Sequence, residues 1–312
     1  MRVFVAGGSG VIGRPLIRQL TEAGHEAIGT TRSSEKAEAV RRAGATPVVV
    51  DALDFDALRR AVHDARPDVV MHQLTALPQS YDMRNYDRTI APTSRLRTEV
   101  TPVLIEAARE AGARRFISQS VCFMYGLEGD RIKDEQAPIM ARGPAPMVAA
   151  AQATGAMEGM VTGAQGLEGV VLRYGQFYGP GTYYARDGAM GREAVRRRFP
   201  IVGDGGGMFS FVHVEDAAAA TVLALDRGAS GIYNVCDDEP APLREWLPVY
   251  ARALGAKPPR RAPRWLARLI AGAPAALSAT ELRGASNAKA KRELGWTPRY
   301  PSWREGFAQA LA

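Results

Sequence analysis

The sequence predicts an α/β fold: a doubly wound parallel sheet followed by a smaller C-terminal lobe. Three observations carry that expectation. Short apolar runs alternate with amphipathic helical patterns through the first half of the chain, the rhythm of βαβ units. The chain opens on a strand-like run, Arg2 to Ala6, that passes through a glycine turn into a helical pattern. After Gln176 the alternation loosens into turns, short helices and single strands.

The glycine turn is the most specific of the three. Gly7, Gly10 and Gly13 follow the strand at spacing G-x-x-G-x-x-G, and the helical pattern opens at Val11 and runs through Leu16, Ile17 and Leu20. Strand, turn and helix in that order make the phosphate-binding corner of a dinucleotide fold. Glycine tolerates the positive φ of a tight turn, and without a Cβ the backbone can approach a pyrophosphate. The helix N-terminus offers free N–H groups to that anion. Gly7, Ser9, Gly10, Val11, Ile12 and Gly13 are the expected cofactor contacts here.

The remaining elements follow in order. Strands are expected at Glu26 to Thr31, Thr46 to Val50, Asp68 to Leu74, Arg115 to Gln119 and Gly169 to Tyr174. Helices are expected at Ser34 to Ala43, Phe55 to Asp64 and Val148 to Ala164, with a long helical region from Tyr86 to Gly112 interrupted near Pro92 and Pro102. Beyond Gln176 the expected helices are Arg192 to Arg198, His213 to Asp226, Pro242 to Leu254 and Pro263 to Ile270, with one strand at Gly231 to Val235. Residues 1–175 then form a Rossmann domain that binds NADP(H). Residues 176–312 form mainly a substrate-binding lobe, from which about 208–236 return to the first domain.

Composition narrows the class. The 312 residues are 46% hydrophobic and 23% charged, enough for a large core. The two cysteines make no disulfide framework and fit a reducing cytosol. Neither a signal peptide nor an apolar run of membrane-spanning length is visible, so a cytoplasmic protein without a membrane partner is expected. The formal charge of +7 comes in short runs such as Arg196-Arg197-Arg198, with no nucleic-acid recognition motif. A small-molecule substrate is the expected partner, and oligomeric state is left open. No histidine has metal-ligand spacing with a cysteine, and no nucleophile elbow suggests hydrolysis.

Several separated motifs together resemble the extended short-chain dehydrogenase/reductases of the nucleotide-sugar epimerase and dehydratase kind. They are the Gly7 to Gly13 turn, Val69-Val70-Met71-His72, Tyr125-Gly126, Leu172 to Gly181, Phe211 to Asp216, and Ser286 to Lys291 leading to Leu294-Gly295-Trp296-Thr297-Pro298. The family's chemistry uses a Ser or Thr, a Tyr and a Lys. Here Val121 stands at the Ser or Thr position. Counting back from Glu158, the acid that follows the Tyr-x-x-x-Lys pattern, puts Thr154 at the Lys position and Ala150 at the Tyr position. Arg142 to Thr162 holds no Tyr and no Lys in any register, so the whole triad is absent. In this the chain resembles the atypical ketoreductases of angucyclinone (simocyclinone-type) polyketides.

The resemblance and the residues assign the site as follows. Thr30-Thr31-Arg32-Ser33 closes the second strand without the Asp or Glu that selects NAD. Arg32 and Ser33 suit a 2′-phosphate, so NADPH is expected over NADH. Asp51 and Ala52 resemble the adenine-edge contact, with a helix cap as the competing role of Asp51. Leu74, Thr75 and Ala76 lie where the family loop crosses the pyrophosphate, and Gln119 and Ser120 end the fifth strand. Ser120, one residue off the catalytic position, is a supporting catalytic group at most. Tyr174, Gln176 and Phe177 resemble the segment at the nicotinamide. Leu77, Tyr81, Phe123, Met147 and Tyr178 are the expected substrate contacts, an apolar set suited to a flat substrate.

The function expected from these readings is NADPH-dependent reduction of a large apolar or aromatic, polyketide-like ketone. With the triad missing, a phenol on the substrate beside the carbonyl would supply the proton. Two other readings stay open: a nucleotide-sugar epimerase or reductase, and a non-catalytic protein that senses NADP(H).

Overall fold

The structure is a computed structural model and describes residues 1–311. Seven strands form its central sheet: β1 (Arg2–Ala6), β2 (Glu26–Thr31), β3 (Thr46–Val49), β4 (Val69–His72), β5 (Arg115–Val121), β6 (Glu168–Tyr174) and β7 (Gly231–Val235). They pair in the order β7-β6-β5-β4-β1-β2-β3, every pair parallel. The central strands β1 and β4 are apolar almost throughout and buried, as strands covered on both faces must be. The order reverses between β1 and β4. That switch point opens a crevice at the C-terminal ends of the strands.

Helices cover both faces. On one face lie α1 (Gly13–Glu22), α2 (Ser34–Arg42), α8 (Val214–Leu223) and α11 (Ala288–Leu294), where Leu16, Ile17, Val40, Ala217 and Leu294 share a core with Val3 and Val5. On the other lie α3 (Phe55–Ala65), α5 (Thr101–Glu110) and α6 (Ala145–Thr162), with Leu58, Leu104 and Val161 packed on Phe4, Val70 and Phe116. The apolar residues of α1 and α3 recur at helical spacing, so each helix has one face to bury.

The region from Tyr86 to Glu110 is not broken at its prolines. Helix α4 (Tyr86–Arg95) carries Pro92 inside it, and α5 has Pro102 in its first turn. Between them runs a π-helical segment, Leu96–Val100. The prolines withdraw two N–H donors, and the wider turn carries the chain across the gap.

The C-terminal lobe holds α7 (Ala189–Val195), α9 (Leu243–Ala253), α10 (Arg264–Glu281) and α12 (Trp303–Ala310). Its core is aromatic: Tyr178, Tyr184, Phe211, Trp246, Tyr250, Trp303 and Phe307. The expected helix at Pro263 to Ile270 is longer, bending at Gly272 (φ +89°) and continuing to Glu281. Helix α12 has no counterpart among the sequence expectations. The segment after β6 returns: Phe211–His213 pairs with Gln176–Tyr178, α8 lies against α1, and β7 joins β6. His213 begins α8 by accepting from the Glu215 N–H, and its ring lies 4.1 Å from that of Tyr300. Asp216 accepts the N–H groups of Arg299 and Tyr300, both at 2.8 Å. These contacts tie the lobe's last segment to the Rossmann domain.

Candidate active site

A cleft of about 2120 Å³ follows the C-terminal ends of the strands and continues between the domain and the lobe. Its first part is the glycine turn. Gly7 has φ +100°, and its N–H donates to Thr30 Oγ1 at 2.9 Å. The glycines divide their work. A Cβ on Gly13 would stand 2.3 Å from the Gly7 carbonyl oxygen, so Gly13 is fixed by helix-to-turn packing, is buried, and does not face the cleft. A Cβ on Gly10 would meet only that oxygen, at 3.2 Å, and Gly10 lines the cleft. The N-terminus of α1 carries no side-chain cap and no acid in its first turn. Its free N–H groups and open front fit a pyrophosphate.

Around the turn, Ser9, Val11, Ile12, Arg32, Ser33, Ala52, Leu74, Thr75, Ala76, Gln119, Tyr174, Gln176 and Phe177 all line the cleft. Arg14 and Lys36 line it too, two cations the sequence reading missed. Lys36 lies in the first turn of α2, just after Arg32 and Ser33, and so comes to the same end of the cleft. Asp51 does not face the cleft; its carboxylate accepts the Leu53 N–H at 3.0 Å. The helix cap before α3 is Asp54, which accepts from the Ala57 N–H. Asp51 is thus a loop-turn residue and not the cap of α3, with Val50 and Ala52 on either side of it lining the cleft.

Beyond Gln119 and Phe177 one wall turns apolar and aromatic, while Arg192, Arg197, Arg198, Arg260 and Arg261 line the lobe side. Leu77, Tyr81, Tyr86, Phe123, Met124 and Met147 face the cleft, with Tyr183 and Met190 from the lobe. Tyr81 meets Tyr86 and Tyr183 edge-on, each at 6.0 Å, and Tyr183 OH donates to the Pro78 carbonyl. Burial holds the Tyr81 and Tyr86 phenols above the ordinary range, so neither is a ready acid. Tyr178 departs from the expectation. It is fully buried among Phe211, His213 and Phe307 in the lobe core, away from the cleft.

The triad positions are occupied by groups that cannot move a proton. Val121 ends β5. Ala150 packs with Tyr86, Ile90, Met124 and Met147. Thr154 donates to the Ala150 carbonyl at 2.7 Å and accepts from Arg97 at 2.9 Å. Ser120 lies at the cleft floor, but its hydroxyl donates to Glu158 Oε1 at 2.6 Å. Glu158 is held from the other side by Arg173 at 2.8 and 2.6 Å, both side chains buried. Arg173 in turn donates to Tyr125 OH, whose proton goes to Asn234. Burial drives the Tyr125 phenol upward despite that arginine. This closed network ties β5, β6, β7 and α6 together and leaves Ser120 no free proton. Among the described residues no cluster of His, Cys, Asp or Glu could hold a metal, and no helix is long and apolar enough to cross a membrane.

Residues 3–236 match the NAD dependent epimerase/dehydratase family. The chain belongs to that family. It is 45% identical over 310 residues to a 3-diazoavenalumate denitrifying reductase of Streptomyces sp, covering 99% of this chain and 100% of that protein. It is 27% identical over 323 residues to a 4-hydroxy-2-methyl-3-oxo-4-farnesyl-3,4-dihydroquinoline-1-oxide ketoreductase of Stigmatella aurantiaca, covering 96% and 92%. Among solved structures it is similar to Thermus thermophilus UDP-glucose 4-epimerase in complex with NAD, at TM-score 0.76 and 29% identity, covering 99% and 97%. The protein is an NAD(P)-dependent reductase of the extended short-chain type. The glycine turn, the uncapped α1 and the loop Leu74 to Ala76 are where a nicotinamide dinucleotide fits.

Proposed function

We propose that the protein is an NADPH-dependent reductase of an aromatic diazo compound, replacing the diazo group by hydrogen. The observation that carries this reading is the wall at the triad: Ala150 and Thr154 where the family places its acid and that acid's lysine. Reduction of a ketone makes an alkoxide that must be protonated or stabilised. Reduction of an aryl diazonium does not. The C–N bond breaks, its electron pair leaves with dinitrogen, and hydride with its pair forms the new C–H bond. The net change, Ar–N₂⁺ plus hydride giving Ar–H and N₂, consumes no proton. The full-length similarity to a denitrifying reductase supports the same acceptor.

NADPH, when bound, supplies the hydride. The residues of this chain bind and orient. Arg32, Ser33 and Lys36 line the cleft where a 2′-phosphate would lie, and the one acid of that segment, Glu35 in the first turn of α2, does not line it. The apolar wall of Leu77, Phe123 and Met147 seats a flat ring against the nicotinamide side and keeps water from a reactive diazonium. The test is anaerobic NADPH oxidation with a hydroxylated aryl diazo acid, following dinitrogen by gas analysis. One N₂ per NADPH is expected. NADPH loss without N₂, or no turnover, removes the reading.

The second reading is reduction of an aromatic, polyketide-like ketone whose own phenol gives the proton. The large aromatic cleft favours it, as does the likeness to a ketoreductase. It predicts that a hydroxy-ketone reacts far faster than its O-methyl ether, and that Tyr81→Phe and Tyr183→Phe stay active. Arg192, Arg197, Arg198, Arg260 and Arg261 line the lobe side of the cleft, the cations that a nucleotide-sugar diphosphate would require.

A further inference from the structure

We infer that Arg97 is an anion seat in the acceptor half of the cleft, taking a carboxylate or phenolate oxygen of the aromatic acceptor. This deepens the reading above and rests on it for the acceptor's aromatic class. Three arginines of the molecule are buried: Arg97, Arg115 and Arg173. Arg115 pairs with Glu168 and donates to the carbonyls of Ala224, Arg227 and Gly228. Arg173 pairs with Glu158 and donates to Tyr125. Arg97, only 5% exposed, donates one hydrogen bond, to Thr154 Oγ1, and among the described residues has no carboxylate within ion-pair distance.

A buried guanidinium with five N–H donors and one partner is costly as it stands. The acid that acts on it from α6, Glu158, has its oxygens engaged by Arg173 and Ser120. Arg97 lines the cleft beside Tyr81, Tyr86, Ile90, Thr93 and Met147. Its π-helical segment turns it inward against α6, and such segments recur at functional sites. A planar fork of donors at the end of an aromatic slot matches an anionic oxygen on a flat, conjugated ligand. Arg97 would thereby fix which end of the acceptor lies toward the cofactor.

The test is calorimetric binding of non-reactive probes to the full chain saturated with NADP⁺. The probes are 4-methoxycinnamate, methyl 4-hydroxycinnamate and methyl 4-methoxycinnamate, at about pH 8.5 to favour the phenolate. At least one of the first two should bind wild type roughly tenfold or more tighter than the third. Which one does so tells carboxylate from phenolate. Arg97→Gln should abolish that advantage and leave binding of the neutral methyl 4-methoxycinnamate and of NADPH unchanged; Arg97→Lys should restore part of it. Equal binding of all three probes by wild type overturns the inference, and that comparison needs no variant to fold. Equal weakening of charged and neutral probes by Arg97→Gln overturns it too. No turnover is measured, so a failure to release N₂ would leave this result readable.

Discussion

At the scale of single residues, the glycine turn separates binding from folding. Gly10 faces the cleft, and a Cβ there would press on the Gly7 carbonyl oxygen at 3.2 Å, a contact that a small shift relieves, whereas a Cβ at Gly13 would strike the same oxygen at 2.3 Å. Gly10→Val should therefore give a folded protein without measurable NADPH affinity, and Gly13→Val should fail to fold. Circular dichroism with a fluorescence titration separates the two, and unchanged NADPH binding in Gly10→Val would sink the assignment. Arg32 stands exposed just after β2, with no acid at the strand end itself and Glu35 outside the cleft lining. Arg32→Ala should weaken NADPH by about 1.5–3 kcal/mol, as for hydrogen bonds to charged groups, and NADH much less. Lys36, which also lines the cleft, limits that loss. Equal losses for both cofactors would show that Arg32 does not read the phosphate.

At the scale of elements, legibility followed sequence distance. The turn between β1 and α1 is local, and so is the swap of Tyr and Lys for Ala150 and Thr154, so both could be read from the chain. Arg97 could not. It lies 57 residues from Thr154, in a stretch whose prolines suggested a break, and an arginine in a helix ordinarily reads as solvated. Its burial exists only because a π-helical turn packs on α6. Tyr178 erred the other way: it follows Gln176 and Phe177 in sequence, but the pairing with Phe211–His213 carries it into the lobe core. Ser120 likewise sits at the right height with its proton committed to Glu158. That network makes its own prediction. Glu158→Gln leaves Arg173 buried without its countercharge and should cost about 3–5 kcal/mol. Chemical denaturation measures it, and a loss under about 1 kcal/mol would mean the pair is not the lock between α6 and the sheet.

At the scale of the whole molecule, two buried histidines favour the neutral form: His213, whose ring packs on Tyr300 where the lobe meets the Rossmann domain, and His72 inside the sheet. Burial lowers His213, at the start of α8, to about 4, and His72, at the end of β4, to about 4. The unfolded chain binds protons on these rings below about pH 6.5 while the folded one does not. Their contribution is therefore complete above about pH 6.5 and falls by about 1.4 kcal/mol per pH unit for each ring as pH drops toward 4. Buried carboxyls such as Asp216 and Asp237 are pushed upward and act in the opposite sense. The clean quantity is the difference between wild type and His213→Gln, which shares those carboxyls. The wild type should lose stability more steeply between pH 6.5 and 4.5; parallel curves would contradict the assignment.

The fold itself, with its reversed strand order and its cleft at the switch point, is that of an enzyme family built to move hydride and proton together. This chain keeps the place for the hydride donor and fills the place of the proton donor with Ala150, Thr154 and a buried arginine. The central claim is that the hydride step needs no proton from the protein. The solvent deuterium isotope effect on kcat/KM, measured with the aryl diazo acceptor and NADPH, tests it most directly. The account predicts an effect near unity. A normal effect of about two or more would show a proton in flight at the hydride step, and would contradict it.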